Sequence, residues 1–170
     1  MNQLTLYKIL NFILLPFAAL FGFLSVIMFF IALANPALLL LVFIIIGFTV
    51  YTIACSIFLF KGINNNQPCK PKLKDWIKVN GYVSVAMGVM MLMNTITLLF
   101  TKKSELRPYA EQAVAAYPVK SPGINADALL NAMMAVSYGM LVFSIALLIH
   151  LFITFRLIKK YQHLFGDTAQ

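Results

Sequence analysis

The sequence predicts an all-α integral membrane protein: a four-transmembrane-helix antiparallel bundle with a short amphipathic helix in the loop between the third and fourth spans. Three observations carry this prediction. The 170 residues are 62% hydrophobic and only 11% charged, and mean hydropathy is +0.90, whereas soluble domains are about 45–50% apolar and about 25% charged. Charge is missing from three long tracts: 52 residues from Ile9 to Phe60, 23 from Val79 to Thr101, and 28 from Ala128 to Phe155, the last broken only by His150. The first tract is too long for one crossing of a hydrocarbon core that takes roughly 20 helical residues, and it holds one strong turn signal, Ala34-Asn35-Pro36-Ala37.

The first helix spans about 9–33, with Pro16 near its start either kinking it or marking where the chain meets the membrane. It is not read as a cleaved leader, because the apolar stretch from Ile9 to Ala32 is 24 residues and a leader core is about 7–15. Asn35 suits the cap of a second helix, 36–60, with Pro36 in its first turn, where a missing amide hydrogen costs nothing. The loop 61–76 alternates Lys with Pro and reads as an extended strap against the inner leaflet. The third helix spans 77–101. The outer loop, 102–125, holds a short helix from Pro108 to Tyr117. Ala110, Ala113, Val114 and Tyr117 share one face of it, opposite Glu111 and Gln112. The fourth helix spans 126–158, capped by Asn125 or Asp127, and at about 50 Å it exceeds the hydrocarbon core. The chain is read as one membrane domain, 1–170.

Orientation follows from Lys and Arg, which accumulate on the cytoplasmic side. Nine of them fall on the side of the termini and the 61–76 loop, and four on the other side. Trp76, Tyr7 and Tyr161 suit the inner interface, and Tyr109 and Tyr117 the outer one. The net charge of +8 is therefore a topology signal. Nucleic acid is not an expected partner, since no recognition element accompanies the basic residues. The absence of Asn-x-Ser/Thr acceptors suits a bacterial inner membrane.

Between helices in lipid, close packing and polar contacts replace the hydrophobic drive. Each helix offers small residues at spacings of three, four and seven, which share a face. The first has Ala18, Gly22, Ser25 and Ala32; the second Gly47, Val50 and Ala54. The third has Gly81, Ser84, Gly88 and Thr95; the fourth Ala132, Ala135, Gly139 and Ala146. Gly22, Gly47, Gly81, Gly88 and Gly139 are the predicted helix-packing positions.

Candidates for chemistry are few. His150 is the one titratable group inside a span, a default functional position, and is expected to act as a neutral interhelical hydrogen-bonding group. Asn94 and Asn131 lie at similar depth and are candidates for a polar contact between the third and fourth helices. Met87, Met90, Met91 and Met93, with Met133, Met134 and Met140, are expected to fill irregular gaps in packing. Cys55 and Cys69 are expected to be free thiols in a reducing compartment. Lys70, Lys72, Lys74 and Trp76 are expected to contact anionic headgroups of the inner leaflet. No catalytic, cofactor-binding or metal-ligating constellation is found. The expected role is a non-catalytic accessory, assembly or scaffold component, associated with the bilayer and with a membrane protein partner or a second copy of itself. The alternative is a transporter or channel component with a weakly polar path near Asn94, Asn131 and His150.

Overall fold

The computed structural model describes residues 3–116 and 125–166, and every regular element among them is helical. Tyr117 and Lys120 of the outer loop lie outside the described residues. Four of the helices are long and apolar enough to cross a membrane.

Helix α1, Gln3–Ala34, begins six residues earlier than the charge map suggests. Lys8 lies within it, since a lysine keeps its stem on an apolar surface while its ammonium group reaches outward. Pro16 leaves the Phe12 carbonyl without its helical donor. Asn35 ends the helix and caps the next turn: its side-chain oxygen accepts from the Ala37 amide at 3.3 Å, and Pro36 opens a 3-10 turn, Pro36–Leu38. Helix α2, Leu39–Ile57, continues directly into a π-helical turn, Phe58–Asn64.

The expected strap over 61–76 is corrected. Helix α3, Pro71–Phe100, includes Lys72, Lys74 and Trp76, because Pro71 in the first turn is preorganised for a helix. Only a few residues, from Asn65 to Lys70, stay non-helical. Helix α4, Lys103–Ala116, starts a turn before Pro108, which therefore lies inside it. Arg107 bonds Glu111 one turn on, at 3.0 Å. Helix α5, Ala126–Lys160, is capped by Asn125, whose side chain accepts from the Ala128 amide at 2.7 Å.

Beyond α5, a 3-10 turn, Gln162–Phe165, folds back onto the end of α2. The Cys69 amide donates to the Leu164 carbonyl at 2.7 Å. Phe165 stacks on Phe58 with centroids 5.0 Å apart. Gly62 permits this closure: a Cβ there would stand 3.1 Å from the Cys69 sulfur and 3.2 Å from the Phe58 ring.

Packing groups the chain into two compact units, Met1–Gly88 with Ala146–Gln170, and Val89–Ile145. In the first unit the interhelical contacts read in opposite order along successive helices. Tyr7 meets Cys55 and Phe21 meets Phe48. Gly47 packs on Val83 and Gly81 on Tyr51; Gly81 also packs on Phe155, and Gly88 on Leu148. The second unit contains α4 with the flanking parts of α3 and α5, and Arg107 lies 3.9 Å from Asp127 there.

The small-residue faces of the first three helices are turned inward. Ala18, Ser25, Ala32, Gly47, Ala54, Gly81, Ser84, Gly88 and Thr95 are buried, and Gly22 is half-buried against Thr49. The assignment on the fourth helix is corrected: Ala132, Ala135 and Gly139 are exposed, and nothing lies within 4 Å of a Cβ at Gly139. That helix carries a second heptad-spaced pair of small residues, Ser137 and Ser144, and these are buried. Their hydroxyls donate to the Met133 and Leu141 carbonyls at 2.8 and 2.9 Å, so each packs as a small side chain with no unmet polar need.

Candidate functional site

The polar residues of the first unit converge on one buried cluster held by three helices. Helix α1 supplies Tyr7 and Asn11, helix α2 supplies Tyr51 and Ser56, and helix α5 supplies His150 and Thr154. Tyr7, Asn11, Tyr51, His150 and Thr154 are 0% exposed. Helical periodicity explains the convergence. Asn11 lies seven residues before Ala18, Tyr51 four after Gly47, and His150 four after Ala146, so each polar side chain shares or adjoins a face with small residues.

The imidazole of His150 is the hub. Its Nδ1 lies 2.9 Å from the Tyr51 hydroxyl, which lies 2.9 Å from the Thr154 hydroxyl. Thr154 donates its single proton to the His150 carbonyl at 2.8 Å. Tyr51 must then donate to Thr154 and accept from His150, because each hydroxyl has one proton to give. This inventory assigns the Nδ1–H tautomer, with a bare lone pair on Nε2. Nε2 is the one buried side-chain polar atom without a hydrogen-bond partner among the described residues. The Tyr7 ring lies over the imidazole, with centroids 4.8 Å apart and planes 9° from parallel, while its hydroxyl donates to the Cys55 carbonyl at 3.4 Å. One turn away, Asn11 donates to Ser56 at 3.0 Å, and Ser56 donates to the Thr52 carbonyl at 2.9 Å.

Tyr7 is thus corrected from an interfacial anchor to a core residue. Its ring finds an imidazole face and its hydroxyl a carbonyl, so the interface has nothing further to offer it. The sequence reading places His150 in a long apolar helix, as it is found, but misses Tyr7, Asn11, Tyr51, Ser56 and Thr154 as its surroundings. The available signal is the heptad series Asn11, Ala18, Ser25, Ala32, in which a polar residue heads a small-residue face.

Asn94 and Asn131 do not join this cluster. Both are exposed, and no hydrogen bond links them among the described residues. Asn131 instead lines a shallow cleft of about 480 Å³ in the second unit with Lys103, Arg107 and Asp127. Met90, Met93 and Met140 are exposed, and Met87 is buried. Among the described residues no group of three His, Cys, Asp or Glu side chains is placed to share a metal ion.

Cys55 and Cys69 are both free and buried. Cys69 lies under the turn at Leu164, and this burial pushes its thiol above the usual range, against the lowering effect of Lys61. The lysines of the loop separate into two settings. Lys70 and Lys72 flank an apolar groove that also exposes Trp76, while Lys74 is half-buried outside it. Compared with protein-family models, with curated proteins and with solved structures, the chain finds no match.

Proposed function

We propose that this is a multi-pass membrane protein whose four long helices form an antiparallel bundle in a bacterial inner membrane, with both termini cytoplasmic. We further propose that it acts as a non-catalytic accessory, assembly or scaffold component. Residence in lipid is supported by the outward faces of the helices: Phe23, Phe30, Leu40 and Val142 are each about two-thirds exposed, and apolar surface on that scale needs a hydrocarbon or protein partner. Orientation is supported by the excess of Lys and Arg on the side of the 2–3 loop.

The observation that carries the non-catalytic reading is the closure of the His150 cluster. A relay or substrate path needs access from both sides and successive proton-holding groups. Here the single imidazole is fully buried, its Nδ1 is engaged by Tyr51 and its face is covered by Tyr7. Such a network ties three helices together at a chosen register, the best-attested use of buried polar groups.

Two measurements test the proposal. Reporter fusions at Gln170 and in the outer loop are expected to report inside and outside respectively, and the reverse pattern overturns the orientation. Purified protein in liposomes is expected to carry no proton flux. A flux that the parent supports and His150→Asn abolishes, with folding intact, would replace the scaffold reading by transport.

A further inference from the structure

We infer that the groove between α2 and the start of α3 is a binding site for an anionic phospholipid of the inner leaflet. The proposal rests on the membrane reading and adds a defined occupant to one place on the surface.

The groove has a volume of about 510 Å³, within the range of small-molecule sites. Its floor is Ile53, Ala54 and Ile57 of α2, and its sides are Lys70, Lys72 and Trp76. All of the wall is apolar, so the two lysines contribute their methylene stems and hold their ammonium groups outside, at the rim. A hydrocarbon slot with two cations at its mouth is complementary to an amphiphile with an anionic head. No carboxylate lines the slot. Asp75 lies instead on a second groove, of about 380 Å³, that shares Val50 and Trp76 with the first. That second groove is partly polar, with Asn80 beside Asp75, so the apolar slot beside Lys70 and Lys72 is the one complementary to an anionic amphiphile. The apolar lining, the two cations and the lack of a carboxylate together favour an anionic lipid as the occupant.

Charge sets the selectivity. A lysine at an anionic surface is worth about a fivefold preference, so the pair gives at most roughly 25-fold over a zwitterionic lipid with the same chains. The main competitor for the groove is bulk lipid, so the apolar floor confers position and the lysines confer choice.

The chain provides its own reporter, since Trp76 is its single tryptophan. The full-length protein is reconstituted in phosphatidylcholine vesicles containing a small fraction of either phosphatidylglycerol or phosphatidylcholine brominated on the acyl chains, which quenches indole on contact. The expected result is about 5- to 25-fold stronger quenching per mole by the brominated phosphatidylglycerol. In the Lys70→Gln/Lys72→Gln double variant, whose exposed side chains leave the helices unaltered, the two lipids should quench alike. Equal quenching in the parent, or a preference that survives the double variant, overturns the site. Protection of Trp76 from both lipids in protein that floats with the vesicles places a polypeptide over the groove and also overturns it. Protein that does not float with the vesicles refutes the membrane reading itself, and the lipid site with it.

Discussion

Replacing Tyr51 by Phe removes one oxygen atom and nothing else, which makes it the sharpest probe of the core. That oxygen makes two contacts of 2.9 Å, to His150 Nδ1 and to the Thr154 hydroxyl. Interhelical hydrogen bonds in membranes average about 0.6 kcal/mol, with a maximum near 1.7. A buried donor left unsatisfied costs about 1–3 kcal/mol. The variant strands the Nδ1–H of an imidazole whose Nε2 already has no partner. Thr154 loses less, because its own proton stays on the His150 carbonyl. The expected cost is therefore about 1–2 kcal/mol, most of it on the histidine. A double-mutant cycle isolates that share. With His150→Leu in place there is no imidazole donor to strand, so Tyr51→Phe should cost less than about 0.5 kcal/mol, which gives a coupling energy near 1 kcal/mol. The assay is reversible unfolding in mixed micelles, titrated with a denaturing detergent and followed by helical circular dichroism. Equal costs for Tyr51→Phe in the two backgrounds would show that the Tyr51–His150 bond carries no stability, and the hub assignment would fall.

Three further outcomes are expected in the same material. His150→Asn should retain more stability than His150→Gln, because an Asn amide occupies the position of Nδ1 and a Gln amide that of Nε2; the reverse order would refute the tautomer and bond assignment. A Cβ at Gly47 would stand 2.6 Å from a stiff Val83 methyl, and one at Gly139 would meet open space. Gly47→Ala should thus destabilise by about 1–3 kcal/mol, while Gly139→Ala gains up to about 1 kcal/mol of helix propensity; comparable shifts at both positions would contradict the packing. Cys69 should react slowly with a maleimide near neutral pH, because burial raises its thiol and keeps the reactive thiolate scarce. A variant truncated after Tyr161 should be labelled faster and at lower pH, and unchanged labelling would disprove the cover at Leu164. Cys55 should stay inert in both proteins.

The four long helices were legible in the sequence because charge is expensive in hydrocarbon, so tens of residues without it mark a span. The same rule misplaced their inner ends. It treated Lys8 and Lys61 as boundaries, although a lysine near the end of an apolar helix can remain helical with its ammonium group outside. The small-residue faces were legible on three helices. On the fourth, two such faces compete, and the choice of Ser137 and Ser144 over Ala132 and Gly139 depends on how the neighbouring side chains fit, which no single helix encodes. The surroundings of His150 were hidden for a chemical reason. A search for ionisable partners passes over tyrosine and threonine, and aromatic residues near a span end suggest an interface. Tyr7 sits on such a boundary in the sequence, yet its ring is claimed by an imidazole that comes more than a hundred residues later.

The separation of the hub's parts along the chain has a consequence for biogenesis. Asn11 and Ser56, 45 residues apart, can find each other as soon as the first two helices have paired. Tyr51 and His150 are 99 residues apart, so that bond waits for the fourth long helix. A nascent hairpin of α1 and α2 therefore holds the Asn11–Ser56 pair but lacks the Tyr51–His150 bond. Arrival of α5 supplies both His150 and Thr154, so the hub closes only when the last long helix has packed.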